Sequence, residues 1–148
     1  MIHSKSTLSA AMVLSLAFSA ACNKAAPSQP TSSETKTAVP EVTVAQVASF
    51  VKDKSATIFD ANNAETRQEM GVVPGAVLLS SHKDYPLSEL PATKSAKLVF
   101  YCGGTQCRAS DAAASRAASA GYSDVSVMRE GIRGWKSAGM PTSAPPQS

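Results

Sequence analysis

Residues 98–108 read Leu-Val-Phe-Tyr-Cys-Gly-Gly-Thr-Gln-Cys-Arg, an apolar run that ends in a cysteine and a glycine-rich loop. Residues 109–120, rich in alanine, follow as a helix. At the carboxyl end of a parallel strand, the next helix points its N–H groups and the positive end of its dipole back at the sulfur. That environment favours a thiolate, which makes Cys102 a candidate nucleophile. Gly103 and Gly104 suit a loop that curls its N–H groups around one atom, because residues with a Cβ adopt the necessary backbone angles reluctantly. The competing reading is an inert cysteine buried at a strand end, since free cysteine is among the most buried residue types.

The segments around this loop must hold it in place. Val44, Val47, Ala48 and Val51 recur at helical spacing behind Thr43, a residue type that caps helices. Residues 56–60 read as a buried strand, 63–70 as a helix, 71–75 as a turn and 76–79 as a second apolar run. Residues 97–101 form the strand that delivers Cys102, 125–128 the last strand, and 132–138 a closing helix before Gly139. Strands alternating with helices predict an α/β fold: a parallel sheet with helices on both faces and ligand sites at the carboxyl ends of the strands.

The ends of the chain predict where it works. Residues 1–21 have the form of a secretion signal, with Lys5, an apolar stretch over 8–18 and the small residues Ser19, Ala20 and Ala21. The stretch is shorter than the ~20 residues of a membrane-spanning helix. Small residues running into Cys22 resemble a bacterial lipobox, which implies lipidation of Cys22, although Ser19 stands where a leucine is usual. Plain secretion with an unmodified Cys22 is the other reading. Residues 22–40 then form a flexible tether of small and polar residues that lack the apolar surface to fold. Asn23 resembles the sorting residue of proteins kept at the outer membrane, so the expectation is an exported domain on the periplasmic side, anchored there by lipid. Residues 41–141 are the single folded domain, and 142–148, with Pro145 and Pro146, a disordered tail. A net charge of +3 with acids and bases interspersed gives no footing for nucleic acid. His3 lies in the signal and His82 stands alone, so neither a metal nor another cofactor is expected.

Six segments, in order, resemble the single-domain rhodaneses. Asp60-Ala61-Asn62 resembles that family's Asp-x-Arg, and residues 71–76, Gly-Val-Val-Pro-Gly-Ala, resemble its Gly-His-Ile-Pro-Gly-Ala turn. Tyr101-Cys102 opens the active-site loop, residues 112–114 match the helix after it, and residues 120–122 the turn that leaves the helix. Residues 131–141 match the closing Gly-x-x-x-Trp-x-x-x-Gly-x-Pro motif. The resemblance implies a sulfurtransferase that holds a sulfane sulfur as a persulfide on Cys102. Its partners would be a donor such as thiosulfate and a thiol or cyanide acceptor. Residues 103–108 (Gly103, Gly104, Thr105, Gln106, Cys107 and Arg108) would form the anion-binding loop, with Asp60 and Ser110 as supports.

The departures from the family pattern open other readings. Five residues separate Cys102 from Arg108, one more than is usual, which resembles the phosphatase and arsenate-reductase branch and would make Arg108 an oxyanion clamp. A closer match is the exported subgroup that carries a second cysteine and then a serine, here Cys107 and Ser110; in that register Arg108 is an exposed residue of the first helical turn. Cys107 is then either a resolving thiol in a redox switch with Cys102 or a small buried apolar residue. A sulfur- or protein-binding module with little turnover is a further alternative. With Asn62 in place of the motif's arginine, Asp60 is expected to lack its ion pair. Arg129 and Arg133 either line the rim of the cysteine site or form a solvated surface with Glu130, and Trp135 belongs to the core.

Overall fold

A computed structural model describes residues 39–146 of the 148-residue chain. The secretion signal, Cys22 and the tether up to residue 38 lie outside the described residues. Helix α1 (Val44–Asp53) starts in a capping box: the Thr43 hydroxyl accepts from Gln46 N at 3.3 Å, and the Gln46 side chain accepts from Thr43 N at 2.8 Å. Strand β1 (Thr57–Asp60) follows, then α2 (Ala64–Met70), whose cap Asn63 accepts from Thr66 N at 2.9 Å. Strand β2 (Val77–Leu78) and a 3-10 turn at Leu87–Glu89 lead to β3 (Lys97–Tyr101), α3 (Ala109–Ser119), β4 (Asp124–Met128) and α4 (Gly131–Ser137).

The four strands form one parallel sheet in the order β2-β1-β3-β4. Asp60 of β1, Tyr101 of β3 and Met128 of β4 stand side by side, so these strands end at one level, with Cys102 one residue beyond it. Alternation along β3 sorts its side chains between two cores. Leu98, Phe100 and Cys102 join Ala113, Ala114 and Ala117 of α3, where small residues let the helix lie close to the sheet. Val99 and Tyr101 face the opposite way, into Val44 and Val47 of α1 and Ile132 and Trp135 of α4. Helices therefore cover both faces, as the alternation of elements predicts.

The structure corrects the expected edges of the domain. Strand β2 has two residues rather than four, because the turn at residues 74–75 precedes it and beyond it only Leu79 N still reaches β1, donating to Asp60 O at 3.0 Å. The tether does not run free to Pro40: Pro40 O accepts from Val127 N at 2.9 Å, and Val42 N donates to Val127 O at 3.0 Å, extending the sheet past β4. Nor is the tail free from residue 142. Ser143 exchanges two 2.9 Å backbone hydrogen bonds with Val72, and Trp135 Nε1 donates to Pro141 O at 2.7 Å. Residues 80–96, which carry no strong periodicity, pack over α3 through Tyr85, a fully buried side chain whose hydroxyl donates to Ala113 O at 2.8 Å.

Candidate active site at Cys102

The Cys102 side chain is 1% exposed and points toward the start of α3, with Ser110 Oγ 3.3 Å from its sulfur. Its thiol donates to Cys107 O at 3.4 Å. Cys107 N closes the loop on Gly104 O at 2.9 Å, which sets Cys107 beside Cys102. The N–H groups of Gly104, Thr105 and Gln106 have no acceptor among the described residues, so the loop keeps unpaired donors.

Helix α4 holds this loop from behind. Ile132 N donates to Cys102 O at 2.9 Å and Arg133 N to Gly103 O at 3.2 Å. The approach depends on Gly131. At φ +60°, a Cβ there would lie 2.3 Å from Cys102 O and 2.6 Å from Gly104 N. The sequence reading gives Gly131 no role of its own; its place at the head of the closing motif is the signal that marks it.

The two thiols divide the local electrostatics unevenly. Burial pushes Cys102 above the usual thiol range, and the Cys107 thiol adds to this, while the Ser110 hydroxyl and N–H oppose it. Burial alone would also raise Cys107, but the Cys102 thiol and the N–H groups of Ala109 and Gly103 outweigh it and hold Cys107 below that range. In the unloaded protein the start of the helix thus favours the thiolate at Cys107, whereas the sequence reading gave it to Cys102.

Asp60 does not lack a cation. Arg67, one helical turn into α2, replaces the missing motif arginine: its Nε lies 3.3 Å from Asp60 Oδ1, and its Nη2 donates to Asp60 O at 2.8 Å and Leu79 O at 2.9 Å. The fully buried carboxylate also accepts from Asn62 N at 2.7 Å and from the Tyr101 hydroxyl at 2.5 Å. Val73 N donates to that hydroxyl at 3.0 Å, so Asp60 ties together β1, β3 and the 71–75 turn. Burial, then the Asp60 carboxylate, raise the Tyr101 phenol well above its ordinary value, which keeps it a neutral donor. Sequence reasoning missed Arg67 because a polar helix with several charged residues gives no sign of which one turns inward. Asn62 lies against the loop, its Oδ1 3.7 Å from where a Cβ on Gly103 would stand, and its buried Nδ2 has no partner among the described residues.

The remaining candidates fall outside the cradle. Thr105 and Gln106 are exposed on the loop. Arg108 has a side chain 77% exposed and pairs with Asp111 at 3.3 Å. Arg129 is not on the rim; it binds Asp111 through two nitrogens, at 3.0 and 2.8 Å, and Glu41 at 2.5 Å. The two carboxylates raise its pKa, and burial, which opposes them, is overcome. Arg133 lines a recess of about 310 Å³ with Gly104, Thr105, Gln106 and Glu130, next to the cysteine loop. Among the described residues, no three His, Cys, Asp or Glu side chains gather as metal ligands, and no helix is long and apolar enough to cross a membrane.

Solved structures of similar fold come from distant sources. A protein of unknown function from Rhodopseudomonas palustris, described as a possible tyrosine phosphatase, is 22% identical with a TM-score of 0.59, over 71% of this chain and 85% of that one. The human single-domain sulfurtransferase is 21% identical with a TM-score of 0.54, over 67% and 96%. A rhodanese-like domain from Anabaena sp. is 24% identical with a TM-score of 0.51, over 72% and 80%. No curated protein matches. At these identities the likeness concerns the fold. The model of the rhodanese-like domain matches residues 43–138, from the cap of α1 to the end of α4, and takes in the sheet, the cysteine loop and the glycine that α4 sets against it. The chain belongs to the rhodanese-like domain family.

Proposed function

We propose that the protein is a sulfurtransferase that carries a sulfane sulfur on Cys102. The observation that carries this reading is the position of that sulfur, buried at the end of β3 and facing the Ser110 hydroxyl at the start of α3, beside a loop with N–H groups to spare. With thiosulfate as donor, Cys107 takes the proton from Cys102, and the Cys102 thiolate attacks the outer, sulfane sulfur. The bond between the two sulfurs of thiosulfate breaks, and sulfite leaves with its electron pair. Free loop N–H groups suit the departing anion and the persulfide alike. Cyanide or a thiol then attacks the terminal sulfur and returns Cys102 as thiolate.

The oxyanion reading loses its main residue, because Arg108 is 77% exposed and pairs with Asp111. We propose further that the domain is exported and held on the periplasmic side of the outer membrane through a lipid on Cys22, with residues 23–38 as the spacer. The test of the activity is sulfite release from thiosulfate with cyanide as acceptor. Thiocyanate should form with the natural chain and not with Cys102→Ser; turnover that survives this substitution defeats the assignment.

A further inference from the structure

A second cysteine borders the Cys102 sulfur. Cys107 lies five residues on, yet the turn closed by Cys107 N on Gly104 O brings it back beside Cys102. Its carbonyl accepts from the Cys102 thiol at 3.4 Å, and its Cβ is 4.0 Å from where a Cβ on Gly103 would stand. A disulfide needs its two sulfurs to converge from nearby backbone, and here the fold holds the two residues side by side. The entropy of the encounter is spent in folding, so an attack of one on the other competes well with any acceptor from solution. Cys107 is also only half-buried and carries the more readily formed thiolate.

Resting on the sulfur-transfer reading above, we propose that Cys107 is a built-in acceptor, attacking the inner sulfur of the Cys102 persulfide and so releasing the carried sulfur as hydrosulfide. A bond forms between the Cys107 sulfur and Cys102 Sγ, and the bond from Cys102 Sγ to the terminal sulfur breaks. The terminal sulfur, protonated, leaves as HS⁻ with the electron pair of that bond. The sulfane sulfur gains two electrons, and the two cysteines lose two in becoming a disulfide. An external dithiol returns the pair to thiols by exchange and is itself oxidised. The full cycle converts thiosulfate and a dithiol into sulfite, hydrosulfide and a disulfide. Attack on the inner sulfur is the step that frees hydrosulfide, whereas attack on the terminal sulfur would only move the persulfide to Cys107.

The test is a single turnover of the full chain carrying Cys22→Ser, so that Cys102 and Cys107 are the only thiols. The reduced protein is mixed with thiosulfate under anaerobic conditions without any acceptor, and sulfite, hydrosulfide and intact mass are followed. One sulfite and one hydrosulfide per chain are expected, with the protein two hydrogens lighter and a peptide linking residues 102 and 107. With Cys107→Ser added, sulfite still appears, more slowly, and a mass gain of one sulfur persists while hydrosulfide falls on the order of ten-fold or more. A lasting gain of one sulfur in the chain that keeps Cys107, with sulfite but no hydrosulfide, overturns the acceptor role and leaves sulfur transfer standing. Absence of sulfite from both proteins overturns the sulfur-transfer reading and, with it, this one.

Discussion

Replacing Arg67 tests whether Asp60 is a structural keystone of the site. The guanidinium reaches three acceptors from a side chain only 12% exposed: Asp60 Oδ1, Asp60 O and Leu79 O. Arg67→Met keeps most of the packing and removes all three. Hydrogen bonds from a charged donor are worth about 1.5–3 kcal/mol each, and a buried carboxylate left without its cation costs about 3–5 kcal/mol in all. The contributions overlap, so the expected loss is about 3–5 kcal/mol, a large share of the about 5–15 kcal/mol that holds a domain of this size. Urea unfolding followed by tryptophan fluorescence reads it directly, because Trp135 is the chain's single tryptophan and lies in the core on one face of the sheet. The midpoint should fall with little change in slope. Adding Asp60→Asn should recover part of the loss, since the uncompensated charge is then gone. Arg67→Lys should recover little, because an ammonium cannot span acceptors that a planar fork spans. A loss below about 1 kcal/mol for Arg67→Met, the range of an exposed ion pair, would refute the account.

Other substitutions separate the roles around the loop. Ser110→Ala removes the hydroxyl that opposes the upward push on Cys102, so the thiol pKa rises and the pH–rate profile of Cys102 alkylation, measured in a Cys107→Ser background, moves to higher pH; an unmoved profile rules out the contact. Gly131→Ala forces a Cβ into Cys102 O at a positive φ and should cost more than about 2 kcal/mol while abolishing persulfide formation, read by melting and by intact mass. Arg108→Ala breaks an exposed pair, so stability should change by less than about 0.5 kcal/mol and thiosulfate turnover should keep its KM; a large rise in KM would return Arg108 to the site.

The parts legible in the sequence are those where a local signal and the tertiary fold agree. The apolar residues 98–101 form a central strand because both faces of β3 are buried, and such a strand reads as an unbroken hydrophobic run. Thr43, with Gln46 three residues on, announces α1 by a contact made within four residues. The ion pair of Asp60 is hidden in the sequence because a family motif fixes the place of a residue, whereas chemistry needs only a cation within reach, and Arg67 supplies it from the next helix. Ser143 and Pro40 read as parts of flexible ends because their partners, Val72 and Val127, are far away in sequence. Cys102 and Cys107 could be named as a pair from their spacing, but which of them holds the thiolate depends on where individual N–H groups point.

The short segment beside β4 has a consequence for behaviour at high concentration. A parallel sheet ends in rows of unpaired backbone groups, and a long free row is a template on which a second chain can add. At the β4 edge, residues 40–42 occupy part of that row, bringing a proline that has no N–H to offer and a glutamate held to Arg129. At the other edge, β2 is only two residues long and follows a Pro-Gly turn. Among the described residues neither edge presents a run long enough to seed edge-to-edge growth. Deleting residues 39–42 would expose the β4 row, and self-association that rises with concentration is the expected result.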